Sequence, residues 1–259
     1  MNESFDAARI LHRDAHCVVI NKMSGEAMEG AGKGAKTGVV DLSASLGALL
    51  GKGKKMDGSD FGVTAVHRLD VPVTGCALFA REPDALAFLN TCFAEGTARK
   101  TYWAVTEVPD GYPAGEAVGP SSPGEWKELV HWLRFDPRTN KSHAWDTEIP
   151  DGKRSILRYR IVGRGERYLF VEVELITGRH HQIRAQLAAI GLKIKGDLKY
   201  GAHRSEKGGG IRLHARSLAI PDMDSPDHSR PRFIQCVAPV PQEDSLWAAF
   251  EAAAAKANG

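Results

Sequence analysis

No run of this 259-residue chain is long and apolar enough to span a bilayer. The opening residues Met1-Asn2-Glu3-Ser4-Phe5-Asp6 have neither the basic start nor the apolar stretch of an export signal. Cysteine is scarce and scattered: Cys17, Cys76, Cys92 and Cys236 make no CxxC pair and no zinc-ligand spacing. They read as reduced thiols, so a cytoplasmic protein without membrane contact is expected. Excess charge is lacking too. The 34 Lys+Arg against 32 Asp+Glu leave a net +2, so any grip on a polyanion must come from a local patch. There is no internal repeat and no clean domain boundary. With 42% hydrophobic and 25% charged residues, the expectation is one folded domain over residues 1–259.

What is present is a series of short apolar strands with hairpin-sized gaps. Cys17–Asn21 reads as a buried strand, Val40–Leu50 as a helix, and Pro83–Glu95 as a helix opened by a first-turn proline. Arg99–Glu107, Val130–Phe135, Ser155–Val162, Tyr168–Ile176 and Leu213–Ile220 read as strands, with a turn at Pro137–Asn140. Gln182–Ile190 and the tail from Gln242 read as helices, and Val108–Pro123 as a long loop. Strands outnumber helices. The pattern predicts an α+β fold with a mainly antiparallel mixed central sheet flanked by helices and loops.

Two stretches carry chemistry. In Val63 to Asp70 alternation predicts a strand with Arg68 and Asp70 on one face, stopped by a turn over Pro72 to Gly75 and followed by the apolar return strand Cys76–Ala80. That delivers a carboxylate to a strand end, although an aspartate there can equally be a turn cap. Far along the chain, Thr177-Gly178-Arg179-His180-His181-Gln182-Ile183-Arg184 opens a helix. Cations at a helix start oppose the macrodipole, so this cluster makes sense beside an anion, a carboxylate or a phosphate. Lys193, Lys195, Lys199, His203, Arg204, Lys207, Arg212, His214 and Arg216 extend it into a basic stretch suited to a phosphate backbone, though such a run is commonly a solvated face.

Three other patterns are weaker. Gly30–Thr37 approaches a P-loop, but Ala35 occupies the place of the second glycine. His12-Arg13-Asp14 lacks the asparagine of a kinase catalytic loop, Val19 standing in its place. His67, His180, His181 and His214 have no metal-ligand spacing, so no metal is expected.

Taken together the motifs resemble those of the RluA-type pseudouridine synthases. His67-Arg68-Leu69-Asp70 followed by Thr74-Gly75 matches the family's HRLD signature. Thr177–Arg184 matches TGRxHQIR, Lys100-Thr101-Tyr102 the Lys-x-Tyr strand, Gly196–Gly201 the GDxxYG segment, and Leu213-His214-Ala215 the LHA segment. Asn21-Lys22-Met23-Ser24-Gly25 is similar to the NKPSG turn, with Met23 in place of proline. The order agrees over about residues 8 to 222, leaving 223–259 as a C-terminal extension. Val71 stands where the family usually has Arg or Lys, and Val73-Thr74 replaces its Thr-Ser pair.

The resemblance implies the pseudouridine synthase catalytic fold, without the separate N-terminal RNA-binding domain of some relatives. It also implies conversion of specific uridines in structured RNA, ribosomal or transfer, to pseudouridine. That isomerisation needs no redox step or energy input, so no cofactor and no nucleotide is expected, and the chain is expected to be a monomer. Asp70 would be the essential carboxylate, Arg184 its partner, and Tyr102 the aromatic residue stacked on a flipped base. Leu213 would lie beneath the base and Arg68 would fill the gap left in the RNA. His67, Arg179, His181 and Lys195 would contact the RNA backbone. The alternative is a catalytically inactive RNA-binding or assembly factor on the same fold.

Overall fold

The computed structural model describes residues 5–30, 39–112, 125–227, 230–241 and 244–258. Most of the P-loop-like stretch and most of the long loop before Pro123 lie outside the described residues. In chain order come β1 (Ile10–Arg13), β2 (Cys17–Lys22), α1 (Leu42–Leu50), β3 (Gly53–Lys54), β4 (Asp60–Phe61), β5 (Thr64–Ala65), β6 (Thr74–Ala80) and α2 (Pro83–Ala94). β7 (Arg99–Glu107), β8 (Lys127–Asp136), β9 (Lys141–Trp145), β10 (Lys153–Arg164), β11 (Tyr168–Leu175) and α3 (Gln182–Ala189) follow. The chain closes with β12 (Leu213–Pro221), β13 (Phe233–Val237) and α4 (Ser245–Asn258). Among the described residues no helix is long and apolar enough to cross a membrane.

The chain forms two compact units, Met1–Lys100 with Ala215–Pro241, and Thr101–His214 with Gln242–Gly259. In the first, strands run in the order β1-β2-β6-β12, with β5 on β6 and β13 on β12. The β1–β2, β2–β6, β5–β6 and β12–β13 pairings are antiparallel. All seven residues of β6 are buried, because its two faces both meet apolar side chains. Val19, Leu78, Leu218 and Ile220 pack there with Ala85, Leu89 and Cys92 of α2, and Leu86 and Phe93 lie at the margin. Pro83 stands in the first turn of α2, where its missing N–H costs nothing, and Asp41 caps α1 by accepting from Ala44 N–H at 3.0 Å.

In the second unit β7-β11-β10-β8-β9 form an all-antiparallel meander-like sheet. Trp103 and Phe170 stack on Phe250 of α4 at centroid distances of 4.5 and 5.2 Å. Leu133 of β8 packs with Ala185 of α3 and Tyr200 on the opposite face. The fold is α+β with mainly antiparallel pairing, as the strand-rich pattern predicts.

The structure corrects three local expectations. The strand through Val63–Asp70 stops at Ala65. After β5, Val66 N–H still donates to Leu78 O at 3.1 Å, but Leu78 N–H is taken by Nε2 of His67 at 3.2 Å. The imidazole replaces the next main-chain acceptor, so the ladder ends and Arg68 to Val73 run as a loop and turn. Pro137–Asn140 leads into β9, a strand too short and too polar to stand out. The extension beyond residue 222 contributes β13 to the first unit's sheet.

Candidate active site

In the first unit Asp70 sits, partly exposed, at the start of a turn closed by Val73 N–H donating to Asp70 O at 2.9 Å. The turn is braced from β2. Lys22 is fully buried, and its Nζ donates to the carbonyls of Met23, Val71 and Val73 at 3.0, 3.0 and 2.7 Å. Gly25 N–H donates to Val71 O as well, at 2.9 Å, from a left-handed backbone (φ +89°) that suits glycine. Burial draws the Lys22 ammonium down to about 8, opposed by the negative charges of Glu26 and Asp70. Glu26 accepts from Met23 N–H at 2.7 Å and is forked by Arg9 at 2.8 and 2.6 Å, fixing the other end of the brace. Gly75, just beyond, has no room for a side chain: a Cβ there would lie 2.3 Å from Ala215 O.

Arg68 is exposed, and Val71 presents 41% of its surface. His67 is turned inward. Its ring stacks on Phe93 at 5.2 Å, and burial, then the Lys100 charge, push its pKa to about 3. With Nε2 accepting from Leu78, the proton of this neutral imidazole is on Nδ1. A cationic grip on phosphate is therefore not its part. It ends the strand and aims the turn.

In the second unit Tyr102 is buried on β7 opposite Val173, and Leu213 is buried at the start of β12. Arg184, on the first turn of α3, is 5% exposed and forks Asp197, Nε to Oδ2 at 2.7 Å and Nη2 to Oδ1 at 2.8 Å. Its guanidinium also lies 5.1 Å from the Tyr200 ring centre. Tyr200 gives its hydroxyl proton to Ser142 O at 3.0 Å, so Nδ1 of His181, 3.1 Å from the same oxygen, is the donor of that contact. His181 is buried and neutral, pushed to about 2 by burial and by the charges of Arg184 and Lys199. A neutral His181 and a paired Arg184 remove most of the conflict with the helix macrodipole that pointed to an outside anion. Gln182 secures the motif: its Oε1 accepts from Thr177 Oγ1 and Arg179 N–H at 2.9 and 3.0 Å, and its Nε2 donates to Ile156 O at 3.0 Å.

Arg179 and His180 are exposed, His180 with its ring edge on Phe135 at 4.4 Å. Lys195 is engaged with Glu206, which also accepts from Arg212 at 2.8 Å. It belongs to an ion-pair group beside Leu213, and a free phosphate contact is not what its surroundings suggest. Asp197, Lys22, Gln182 and Tyr200 are supporting residues that sequence reasoning passed over. Each stands inside a quoted motif, and that position was the available signal. Among the described residues His12, Asp14 and Cys17 also converge, but Asp14 caps a turn, Oδ1 accepting from His16 and Cys17 N–H at 2.8 and 2.7 Å.

Residues 16–189 match the family model described as RNA pseudouridylate synthase. The chain belongs to that family. An uncharacterised RNA pseudouridine synthase of Zymomonas mobilis is 31% identical over 216 residues, covering 83% of this chain and 88% of that protein. The ribosomal large subunit pseudouridine synthase C of Vibrio parahaemolyticus is 29% identical across 75% of this chain, which spans only 53% of that relative's length. Among solved structures, human RNA pseudouridylate synthase domain containing 4 superposes with a TM-score of 0.62 at 22% identity, covering 95% of this chain and 92% of that one. That likeness bears on the fold. The matched residues fall in both compact units and include the braced Asp70 turn and Arg184.

Proposed function

We propose that this protein converts uridines in structured RNA, ribosomal or transfer, to pseudouridine, with Asp70 as the catalytic carboxylate. The observation that carries the reading is the Asp70 turn, held at two of its carbonyls by one buried lysine and at one of them by the Gly25 N–H as well. A surface turn cap would not need such bracing. Catalysis does, because a reacting carboxylate must keep its position as the base leaves the sugar and turns.

In the reaction the bond from ribose C1′ to uracil N1 breaks, the base rotates, and a bond from C1′ to C5 forms while the C5 proton is lost and N1 regains one. Asp70 assists the bond exchange at the sugar or base. Arg184 is its partner cation, Tyr102 the platform for the flipped base, and Leu213 the apolar floor. Arg68 and Arg179, both exposed, take the RNA contacts; His67, His181 and Lys195 hold the framework instead. Every bond made replaces one broken, so the reading calls for no metal, redox group or nucleotide. It describes a monomeric cytoplasmic enzyme acting through a single catalytic domain.

The test is Asp70→Asn. Pseudouridine mapping of RNA incubated with the purified variant is expected to show no product, with RNA affinity within about threefold of wild type. Product formed at the wild-type rate by the variant would remove Asp70 from the chemistry. Loss of binding together with loss of product would make the residue structural.

A further inference from the structure

The face of β8, β9 and β10 that points away from α3 is unusual for a solvated sheet surface. Trp132 on β8 stands directly opposite Trp145 on β9 and directly opposite Arg154 on β10. Directly opposed residues of antiparallel strands share a face, so the three form one row across three neighbouring strands. One step along, Arg134 stands opposite His143. The Arg134 guanidinium lies 5.2 Å from the Trp145 ring centre, and the His143 ring 5.9 Å from it. Arg134, His143 and Arg154 are exposed and both tryptophans are half-buried. The carboxylates of this face, Asp136 and Glu128, stand at the two ends opposite Lys141 and Arg158. The middle of the face is therefore aromatic and cationic.

Two indoles, one with a guanidinium over its ring and the other with an arginine directly opposite, match one chemistry well: bases stacked on rings or on the guanidinium plane, and phosphates beside cations. A duplex hides its base faces in its own stack, so the matching partner is single-stranded. We propose that this face is a stacking platform for unpaired nucleotides of the RNA substrate, with bases on Trp145 and Trp132 and phosphates at Arg134 and Arg154. The inference rests on the RNA-modifying reading above and adds a binding surface separate from the residues assigned to catalysis. It also accounts for a chain of net charge +2 holding RNA, since the cations need only be gathered locally.

The experiment uses the full chain and a labelled oligoadenylate of about twelve nucleotides, which has no uridine to enter the isomerisation site. Anisotropy titrations are expected to show that wild type and Asp70→Asn bind it alike. Trp145→Ala is expected to weaken binding about tenfold, and Trp145→Phe to restore most of the loss. Arg134→Ala with Arg154→Ala is expected to weaken binding and lower the slope of log K against log salt by about 1.4, two phosphates on a single strand. On the RNA substrate these variants are expected to raise KM and leave kcat unchanged. Three results each overturn the platform: wild-type affinity in both sets of variants; equal binding and equal losses with an A-form duplex; or a fall in melting temperature that tracks the loss while Trp145→Phe rescues neither. If the platform variants behave as expected and wild type forms no pseudouridine, the platform stands and the catalytic reading falls. If pseudouridine forms and the variants bind normally, the reverse holds.

Discussion

Lys22 shows how much of the candidate site depends on one buried side chain. A fully buried ammonium is tolerated only because three carbonyls receive it, two of them in the turn that carries Asp70. Lys22→Met would leave the Met23 and Val73 carbonyls without this donor, Val71 O keeping the Gly25 N–H, at about 1–3 kcal/mol for each one not reached by water. Urea melts are expected to show a loss of at least about 2 kcal/mol, and steady-state kinetics a fall in kcat of about tenfold with KM little changed. Asp197 plays the matching part for Arg184. Removing one partner of a buried ion pair strands the other, which typically costs about 3–5 kcal/mol. Asp197→Asn is therefore expected to cost stability of that order in denaturant melts and to lower activity, whereas a substitution at exposed Arg179 should change RNA affinity and leave the melts in place.

At the scale of elements, the entry to α2 is tied down through a titratable group. His16 contacts Glu82, the residue just before the first turn of α2, and lies 3.1 Å from Asp224 in the turn after β12. The hydrogen bond to Glu82, reinforced by Asp224 against the opposing effect of burial, raises its pKa above the usual 6.5. A raised pKa means that the folded state holds this proton more tightly than the unfolded chain does. The contribution is then complete below about 6.5 and fades as pH climbs through the raised value. The melting-temperature gap between wild type and His16→Gln is expected to be largest near pH 6 and to shrink by pH 9. A gap that stays constant across that range would show that His16 acts by packing and not by charge. The β8–β9 hairpin illustrates the same scale differently. Its inner face, with Leu133 and Ala144, is closed by α3, and its outer face is left to Trp132, Trp145 and Arg134.

Taking the molecule as a whole, all four cysteines are buried and unpaired by disulfides. Burial pushes the Cys76 thiol up to about 12 and Cys236 to about 11, and Cys17 rises further still. Neither thiolate character nor access favours reaction in the native state. Mass spectrometry after iodoacetamide at pH 8 is expected to find Cys17, Cys76 and Cys236 unmodified in native protein and all four alkylated in denaturant. Rapid native alkylation of Cys76 would show that the first unit's core opens far more readily than its packing implies.

Alternation, first-turn proline and apolar spacing made β2, β6, β7, β11, α1, α2 and α3 legible in advance, because each is stabilised by a pattern local to its own residues. The ordered motifs pointed to the family for a related reason: spacing between turns and caps survives in the linear chain. What escaped was whatever one segment does to another. The strand through His67 ends early because a side chain competes for the Leu78 N–H, and alternation says nothing about side-chain acceptors. β9 exists because β8 offers it a partner. Arg184 looked like a cation awaiting an anion, and Asp197, thirteen positions on, was already there. The protonation states of His67 and His181 depend on burial and on neighbouring charges, which residue order does not specify. The sequence by itself therefore determined the elements and the family, through short-range pattern. Tertiary structure alone decided which polar groups meet, because hydrogen bonds and desolvation depend on distances in space.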